Sequence, residues 1–294
     1  MQLRISQPKK LPQNVNAALR KTGAVLKSFR SADFSGATLF APSTHLLKHE
    51  GKMVRPALVL VGADVLGEPL PEFTDLAAAA ELLHTSSLIH DDIIDGDMMR
   101  RGTKAVHAKY GQAAAILAGD ALISKAVELS SAYGREVMLS ISKTAMLMCA
   151  GELLDYEYQR GGRVPSLSDY IRIARLKSAS ITGMCSSIAA QYKRHPSRNR
   201  LETFGVDFGI ALQIRDDVID FMRLDRGNGS ISGNGGPNIV TTLIKRARMD
   251  RDRAVRKAVS MNNSYLDHAA EMLAGSRNLS RFAAYSEFIR LELE

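Results

Sequence analysis

The chain has 294 residues, of which 45% are hydrophobic and 24% are charged, an ordinary balance for a globular protein with enough apolar material for a core. Its formal net charge of +8 favours anionic partners such as phosphorylated small molecules, nucleic acids or an anionic membrane surface. Tryptophan is absent and no lysine and arginine run is interleaved with aromatic residues, so binding of nucleic acid is not expected.

The cysteines and the N-terminus indicate a cytoplasmic protein. Cys149 and Cys185 are the only two cysteines; they lie in apolar stretches without metal-ligand spacing and are predicted to be small buried residues in a reducing compartment. The N-terminal MQLRISQPKKLPQ lacks the apolar region of a signal peptide. No stretch of about 18 consecutive apolar residues occurs, so we expect no transmembrane segment.

Helical periodicity dominates the chain, and no strand alternation of any length stands out. Pro56 suits the first residue of a helix that Gly67 ends, and Thr74 and Ser168 are predicted N-caps. The predicted helices cover residues 14–30, 43–49, 56–67, 74–96, 111–133, 135–160, from 169 to a loop at 193–199, 202–221, and most of the chain after 240. We therefore expect an all-α fold, with residues 1–294 forming a single domain of roughly ten or more helices around a central cavity.

A cluster of acidic residues marks the stretch HTSSLIHDDIIDGDMMRRG at residues 84–102. On a helix, Asp91 and Asp95 lie on the same face, whereas Asp92 lies about 100° further round. These carboxylates repel one another unless a cation lies between them. Carboxylate oxygens suit magnesium, which is usually completed by water and by phosphate oxygens of a substrate. The alternative is a solvated helix end.

The same spacing recurs in QIRDDVIDF at residues 213–221, where Asp216, Asp217 and Asp220 repeat the pattern. In both copies an apolar pair separates the acids and can anchor one side of a helix in the core. Two solvated patches have no reason to share this pattern. The repeat therefore predicts two halves of one metal site, facing each other across the central cavity.

Two further segments carry functional hypotheses. Lys52 and Arg55 fall just before a predicted helix, beside an N-terminus that favours anions, although surface charges are the simpler interpretation. The stretch RLDRGNGSISGNGGPN at residues 223–238 is too long and too polar for an ordinary connection. It is predicted to be either a functional lid or a disordered connector.

The chain resembles the trans-isoprenyl diphosphate synthases, also called polyprenyl synthetases. GKMVRP is similar to their GKxxRP segment, and HDDIIDGDMMRRG and QIRDDVID are similar to their two aspartate-rich motifs. AILAGDAL and LKSAS continue the correspondence between them. The motifs occur in the family's order from about residue 50 to 221, so the resemblance implies the all-α isoprenoid synthase fold.

This resemblance also implies an activity and a set of roles. The implied enzyme is a transferase that condenses isopentenyl diphosphate with an allylic diphosphate. It would use magnesium, with three ions once substrate is bound, and would act as a homodimer. The implied metal ligands are Asp91, Asp95 and Asp216, with Asp92, Asp217 and Asp220 completing the clusters. The implied allylic diphosphate contacts are Arg100, Lys177, Ser178 and Gln213. The implied isopentenyl diphosphate contacts are Lys52, Arg55, His84 and Arg101. The implied catalytic set is Asp91, Asp95, Asp216, Arg100 and Lys177.

Product length is expected to depend on the side chains below Asp91 on the same helix. The growing chain would pass Ser87 and Ser86, which are small, and then Leu83; a turn of helix is about 5.4 Å long. We therefore expect a product of about twenty carbons or more, with Leu83, Leu82 or a residue of the facing helix near Met146 as the floor. The alternative is that these serines only pack helix against helix.

The chain departs from the family pattern after the second motif. The loop carries no lysine, and Asn238 stands about where a lysine is expected. Ser178 replaces the commoner threonine. Two other functions therefore stay open, a class I terpene cyclase and a non-catalytic regulatory subunit of a heteromeric prenyl synthase.

Overall fold

The computed structural model describes residues 3–5, 11–49, 51–225, 237–275, 279, 282, 286 and 289–293. These residues are mainly helical, so the predicted all-α class is confirmed. The helices are α1 (Gln13–Ser28), α2 (Ala37–Ser43), α3 (Val54–Val65), α4 (Thr74–Asp95), α5 (Val106–Tyr110), α6 (Gln112–Ser130), α7 (Arg135–Arg160), α8 (Leu167–Ala174), α9 (Ser180–Tyr192), α10 (Arg198–Asp225), α11 (Ile239–Arg246) and α12 (Arg251–Met272). A π-helical turn, Arg175–Ala179, joins α8 to α9, and short 3-10 turns cover Ser31–Phe34, Leu46–Lys48, Leu70–Phe73 and Ser131–Tyr133.

Four short strands accompany the helices in the described part of the chain. Strand β1 (Leu3–Ile5) pairs antiparallel with β4 (Leu291–Leu293), and Leu3 lies opposite Leu293. Strands β2 (Met99–Arg100) and β3 (Thr103–Lys104) form a hairpin directly after α4. The hairpin holds the two arginines that follow the first aspartate-rich motif. The sequence did not predict it, because strands of two residues leave no measurable alternation.

Several helix ends differ from the prediction. Thr74 is the first residue of α4 rather than its N-cap, and its hydroxyl donates backwards to the carbonyl oxygen of Pro71 at 3.0 Å. Ser166, not Ser168, caps α8 by accepting a hydrogen bond from the amide of Asp169 at 3.1 Å. The interior of the predicted lid or connector, residues 226–236, lies outside the described residues.

The described residues form two compact units. We call Pro12–Ala145 with Ile188–Pro196 the first-motif unit, and Met1–Leu11, Met146–Ser187 and Ser197–Glu294 the second-motif unit. Helices α7 and α9 contribute residues to both. The predicted single domain around a central cavity stays a prediction.

Helix α4 is the centre of the first-motif unit, where it packs against α1, α3 and α6. The run Ala77–Ala80 is buried, and its small side chains let the neighbouring helices approach closely. Contact with α6 is tightest at Gly119, where a Cβ atom would overlap the ring of His90. Glycine at this position therefore sets how closely α6 approaches the helix that carries the first motif.

Helix α10 is the centre of the second-motif unit and packs against α12, α8, the π-helical turn and α11. Ile210, Ile214 and Val218 lie in one buried cluster with residues of α11 and α12. This apolar stripe recurs at four-residue spacing, which fixes the rotation of α10 about its axis. The rotation in turn decides which aspartates of the second motif point inward.

Helix α7 differs from the other helices in its exposure. Of the helices in the described part of the chain, it is the one long and apolar enough to cross a membrane by length and composition, and 28% of its apolar window is buried. Core helices of soluble proteins pass the same test, so this is weak evidence for a span. Cys149 on α7 is exposed, which corrects the prediction of a buried thiol, whereas Cys185 on α9 is buried as predicted.

Candidate active site

The first aspartate-rich motif occupies the last turn of α4. The helix ends at Asp95 because Gly96 adopts a left-handed conformation with φ of 72°, which glycine tolerates without strain. Asp92 is fully buried, with a relative exposure of 0%, whereas Asp91 and Asp95 are partly exposed. The second carboxylate of the motif therefore points inward and the first and last reach the surface.

Asp92 is held by Arg100 of the β2–β3 hairpin. The Nε atom of Arg100 lies 2.7 Å, and its Nη2 atom 2.5 Å, from Oδ1 of Asp92. A second ion pair joins Nη2 of Arg100 to Asp97 at 3.0 Å. Burial raises the pKa of Asp92 above its ordinary value, and the contact with Arg100 opposes that rise. The arginine predicted to bind the allylic diphosphate thus also stabilises the motif.

The neighbouring Arg101 turns to the other side of the hairpin, with φ of 50°. Its Nη2 atom donates to Oε1 of Glu81 at 2.8 Å, and its Nη1 atom donates to the carbonyl oxygen of Leu46 at 3.3 Å. The guanidinium lies against Gly51, where a Cβ atom would be 2.9 Å from its Cζ. Glu81 has a relative exposure of 2%, so this pair is an internal one.

His84 lies on α4, three residues after Glu81. It is close to the guanidinium groups of Arg55 and Arg101. Burial first, and then the positive charges of Arg55, Arg101 and Arg100, hold the pKa of His84 well below its ordinary value. His84 is therefore neutral at physiological pH. The structure thus brings together three of the four residues predicted to bind isopentenyl diphosphate, namely Arg55, His84 and Arg101.

One predicted residue of this region lies elsewhere than expected, and one residue was not predicted. Lys52 is exposed in the loop before α3, as expected, but Arg55 lies in the first turn of α3 rather than before it. Sequence reasoning missed Glu81. Its signal was a single charged residue inside the apolar run AAAAELL, since a carboxylate there needs a buried partner.

The predicted chain-length residues lie on α4 within the same unit. Leu83 and Ser86 are buried, each with a relative exposure of 2%. The hydroxyl of Ser86 donates to the carbonyl oxygen of Leu83 at 2.7 Å, and that of Ser87 to His84 at 2.9 Å. Both hydroxyls are hydrogen-bonded within the helix. The surface that Ser86 and Ser87 present to their neighbours is therefore small and weakly polar. Met146, near which a floor was also predicted, has a relative exposure of 72%.

The second motif, on α10, divides its carboxylates in the same way. Asp217 is buried, with a relative exposure of 7%. Its Oδ2 atom accepts from the hydroxyl of Tyr170 at 2.8 Å and from the amide of Ile239 at 2.8 Å, and its Oδ1 atom accepts from Nε2 of Gln213 at 2.9 Å. Burial raises the pKa of Asp217 to about 7, and these hydrogen bonds oppose the rise.

Asp216 and Asp220 are more exposed and lie beside arginines. Nη1 of Arg215 is 2.8 Å from Oδ1 of Asp216, and Nη1 of Arg223 is 3.7 Å from Asp220. Both acids keep about half of their side-chain surface exposed, 50% for Asp216 and 58% for Asp220. They are the carboxylates of this motif that can reach a ligand.

Lys177 and Ser178 lie on the π-helical turn, which projects them towards α7 and α10. The Nζ atom of Lys177 is 2.6 Å from Glu152 and 2.9 Å from Asp155, both on α7. Gly151 permits this approach, because a Cβ atom there would meet the backbone of the turn. Ser178 donates to Oε1 of Gln213 at 2.6 Å. The sequence assigned no role to Glu152 or Asp155, since nothing local links them to Lys177.

Asn238, which stands near the position of an expected lysine, is the N-cap of α11. Its Oδ1 atom accepts from the amides of Val240 at 2.8 Å and Thr241 at 3.4 Å. Its Nδ2 atom donates to the carbonyl oxygen of Asp217 at 2.9 Å. Asn238 therefore fixes the start of α11 against the second motif instead of presenting a cation.

The donor set of each motif suits magnesium. Within the described residues, no group of three or more histidine, cysteine, aspartate or glutamate side chains could hold a metal ion. Magnesium, however, is usually bound through one or two carboxylates, with water and substrate phosphates as the remaining ligands. Partly exposed pairs such as Asp91 with Asp95, and Asp216 with Asp220, fit this requirement. The predicted ligand sets, and their predicted meeting in one cavity, stay predictions.

Comparison with known proteins shows the family of this chain. Residues 37–264 match the family model described as polyprenyl synthetase. The chain belongs to this family. A geranylgeranyl pyrophosphate synthase from Geoglobus acetivorans is 35% identical over 210 residues, which are 69% of this chain and 64% of that protein. The match thus spans just under two thirds of the relative's length.

Solved structures share the fold of this polyprenyl synthetase family member. The geranylgeranyl pyrophosphate synthetase from the archaeon Geoglobus acetivorans superposes with a TM-score of 0.77 at 26% identity, covering 93% of this chain and 97% of that chain. A polyprenyl synthase from Caulobacter crescentus CB15, complexed with calcium and isoprenyl diphosphate, superposes with a TM-score of 0.74 at 21% identity, covering 96% and 98% of the two chains. The latter likeness shows the fold alone.

The cap at Asn238 yields a prediction about the missing lysine. Replacing Asn238 with lysine removes the cap oxygen of α11 and the contact with Asp217, so the free energy of unfolding should fall by about 1–2 kcal/mol. Urea denaturation followed by circular dichroism measures the change. Asn238→Ser is the matched control, because serine caps about as well as asparagine. Equal stability of the two variants would contradict the capping role.

Proposed function

We propose that this protein is a magnesium-dependent prenyltransferase that condenses isopentenyl diphosphate with an allylic diphosphate and releases pyrophosphate. The observation that carries the proposal is the repeated motif, in which the first and last aspartates stay at least partly exposed while the second is buried inside the protein. Membership of the polyprenyl synthetase family and the name of the Geoglobus relative support it. The positive charge of +8 suits two diphosphate substrates.

Each set of residues has a part in the proposed reaction. Asp91, Asp95, Asp216 and Asp220 would hold magnesium, which when bound neutralises charge on the departing pyrophosphate. Ionisation of the allylic substrate breaks its carbon–oxygen bond and leaves an allylic cation. The double bond of isopentenyl diphosphate attacks this cation, and a proton then leaves for the released pyrophosphate.

Basic and polar side chains would position the allylic diphosphate. Arg100 already lies beside the first motif, and Ser178 and Gln213 are hydrogen-bonded to each other beside the second. Glu152 and Asp155 hold the ammonium group of Lys177 in place. This group therefore would not have to turn inward from solvent before it binds a diphosphate. Arginine contributes paired hydrogen bonds to phosphate oxygens, and lysine contributes a point charge.

A separate basic cluster would bind isopentenyl diphosphate. Arg55, Arg101 and neutral His84 lie together in the first-motif unit, with Lys52 in the adjoining loop. The neutral imidazole can donate one hydrogen bond to a phosphate oxygen without adding charge. Glu81 and the carbonyl oxygen of Leu46 each accept one hydrogen bond from Arg101, so the other N–H groups of the guanidinium would bind the substrate.

We also propose a product of about twenty carbons or more. Support comes from the small outer surface of Ser86 and Ser87, whose hydroxyls are bonded within α4, and from buried Leu83 about one turn below Ser86 and Ser87. The name of the Geoglobus relative, a geranylgeranyl pyrophosphate synthase, agrees with this length.

A cytoplasmic homodimer completes the proposal. Helix α7 carries the exposed large apolar side chains of Met146, Leu147 and Leu153, and Ile116 and Leu117 are exposed on α6. An exposed apolar helix face of this kind marks an interaction site. Contact with a second copy of the chain would remove these side chains from water.

The activity is tested with purified protein, magnesium, radiolabelled isopentenyl diphosphate and an allylic primer, followed by chromatography of the products. We expect diphosphates longer than the primer. Asp91→Ala should reduce turnover at least about a hundredfold, because it removes a metal ligand at the charge-stabilising site. Asp252→Ala on α12, where the carboxylate is also exposed, is the control and should keep normal turnover.

Other outcomes of this assay distinguish the alternatives. A hydrocarbon product would identify a terpene cyclase. Turnover only after addition of a second protein would identify a regulatory subunit. Near-normal turnover by Asp91→Ala would contradict the metal assignment.

The homodimer is tested by light scattering coupled to gel filtration. Wild-type protein should have about twice the mass of one chain, whereas Met146→Glu with Leu153→Glu should give a monomer, because two charges cannot be buried unpaired in an apolar contact. Leu167→Glu, at an exposed position on α8, is the control and should stay dimeric. A monomeric wild type would contradict the proposal, and co-flotation of that monomer with lipid vesicles would assign the apolar face to a membrane.

A further inference from the structure

We infer that Asp217 is a positioning residue rather than a metal ligand. It anchors the second aspartate-rich motif to α8, α11 and the π-helical turn, and so sets the orientation of Gln213 and Asp216. This inference deepens the proposed function, because the positioned groups are those assigned to the metal and the allylic diphosphate.

The first step in the argument is that the carboxylate of Asp217 is already occupied. Its Oδ2 atom accepts from the hydroxyl of Tyr170 and the amide of Ile239, both at 2.8 Å, and its Oδ1 atom accepts from Gln213 at 2.9 Å. A metal ion on Oδ2 would displace donors that are themselves buried. Ile239 sits at the first position of α11, and its amide has no alternative acceptor within that helix, so displacement would leave a buried donor unsatisfied.

The second step is that the hydrogen bonds of Asp217 extend to predicted substrate contacts. Gln213 gives its amide nitrogen to Asp217, which leaves its oxygen to accept from Ser178 at 2.6 Å. The carboxylate therefore fixes which end of the Gln213 amide faces Ser178. Loss of the Asp217 carboxylate would allow the Gln213 amide to rotate. Ser178, on the π-helical turn, would then lose its hydrogen-bond acceptor.

The third step concerns the start of α11. The backbone carbonyl of Asp217 accepts from Asn238, and its side chain accepts from Ile239. One residue of α10 thus contacts both residues at the beginning of α11. Asp217 thereby connects the second motif to the start of α11.

Asp216 and Asp220 provide the contrast within the same motif. Their side chains keep about half of their surface exposed, whereas that of Asp217 is buried. The first motif repeats the division, because Asp92 is buried against Arg100 while Asp91 and Asp95 are partly exposed. Equal spacing in the sequence therefore does not mean equal function.

The test compares Asp217→Asn, Tyr170→Phe and Asp216→Asn. Turnover is measured as a function of magnesium concentration, well below the unfolding temperature of every variant. Binding of magnesium with inorganic pyrophosphate is measured by calorimetry, which needs no turnover. Asp252→Asn on α12 is the control for loss of an exposed carboxylate.

We expect both Asp217→Asn and Tyr170→Phe to lower kcat. For Asp217→Asn the decrease should be about tenfold, because losing a hydrogen bond to a charged group costs about that factor. The magnesium concentration for half-maximal rate should stay within about twofold of wild type. Asp216→Asn should raise that concentration at least about tenfold, since even a lost partner of a ligand costs that much in metal affinity. The double variant of Tyr170 and Asp217 should be no slower than Asp217→Asn alone, because the two residues act as one unit.

The opposite results would overturn the inference. A tenfold rise in the magnesium requirement for Asp217→Asn, with Tyr170→Phe unchanged, would make Asp217 a ligand. A lowered unfolding temperature with unchanged kcat in both variants would make the network merely structural. If Asp217→Asn does not fold, Tyr170→Phe decides alone through its kcat. Wild-type protein that binds magnesium pyrophosphate but transfers no prenyl group would refute the proposed function, while calorimetry on the variants still decides the role of Asp217.

Discussion

A buried carboxylate must be given hydrogen-bond donors or a cation, and this requirement organises both units of the protein. Asp92 meets it at Oδ1 with Arg100, Glu81 with Arg101, and Asp217 with Tyr170, Gln213 and the amide of Ile239. An unpaired charge in these positions would cost several kcal/mol. The contact of Gln213 with Asp217 lies within α10, whereas each of the others joins a motif helix to a neighbouring hairpin or helix.

The same contacts decide which charges remain for substrates. When the second aspartate of each motif turns inward, the helix places the first and last, four residues apart, on the outer face. Arginines that neutralise the buried acids keep further donors directed away from them. The groups that stabilise the motifs are thus the neighbours of the groups assigned to the diphosphates, and removing one alters both stability and chemistry.

The local sequence predicted much of this arrangement. It did not predict which side chains pair with residues far away in the chain. The aspartate spacing, the bounds of α7 and the termination of α4 at Gly96 follow from periodicity and turn chemistry. Glu81, Tyr170 and Asp155 were missed, because their partners are 20, 47 and 22 positions away in the chain. Ser166 and Ser168 both suit an N-cap by residue type, and only the backbone shows that Ser166 caps α8.

The central claim is that the exposed aspartates bind metal while the buried ones hold the motifs in place. A crystal structure of the protein with manganese and inorganic pyrophosphate, in which anomalous scattering locates the metal, tests it most directly. The account predicts manganese coordinated by Asp91, Asp95 and Asp216, with Asp92 still paired with Arg100 and Asp217 still bound by Tyr170. Manganese coordinated by Asp92 or Asp217, or absent from both motifs, would contradict it.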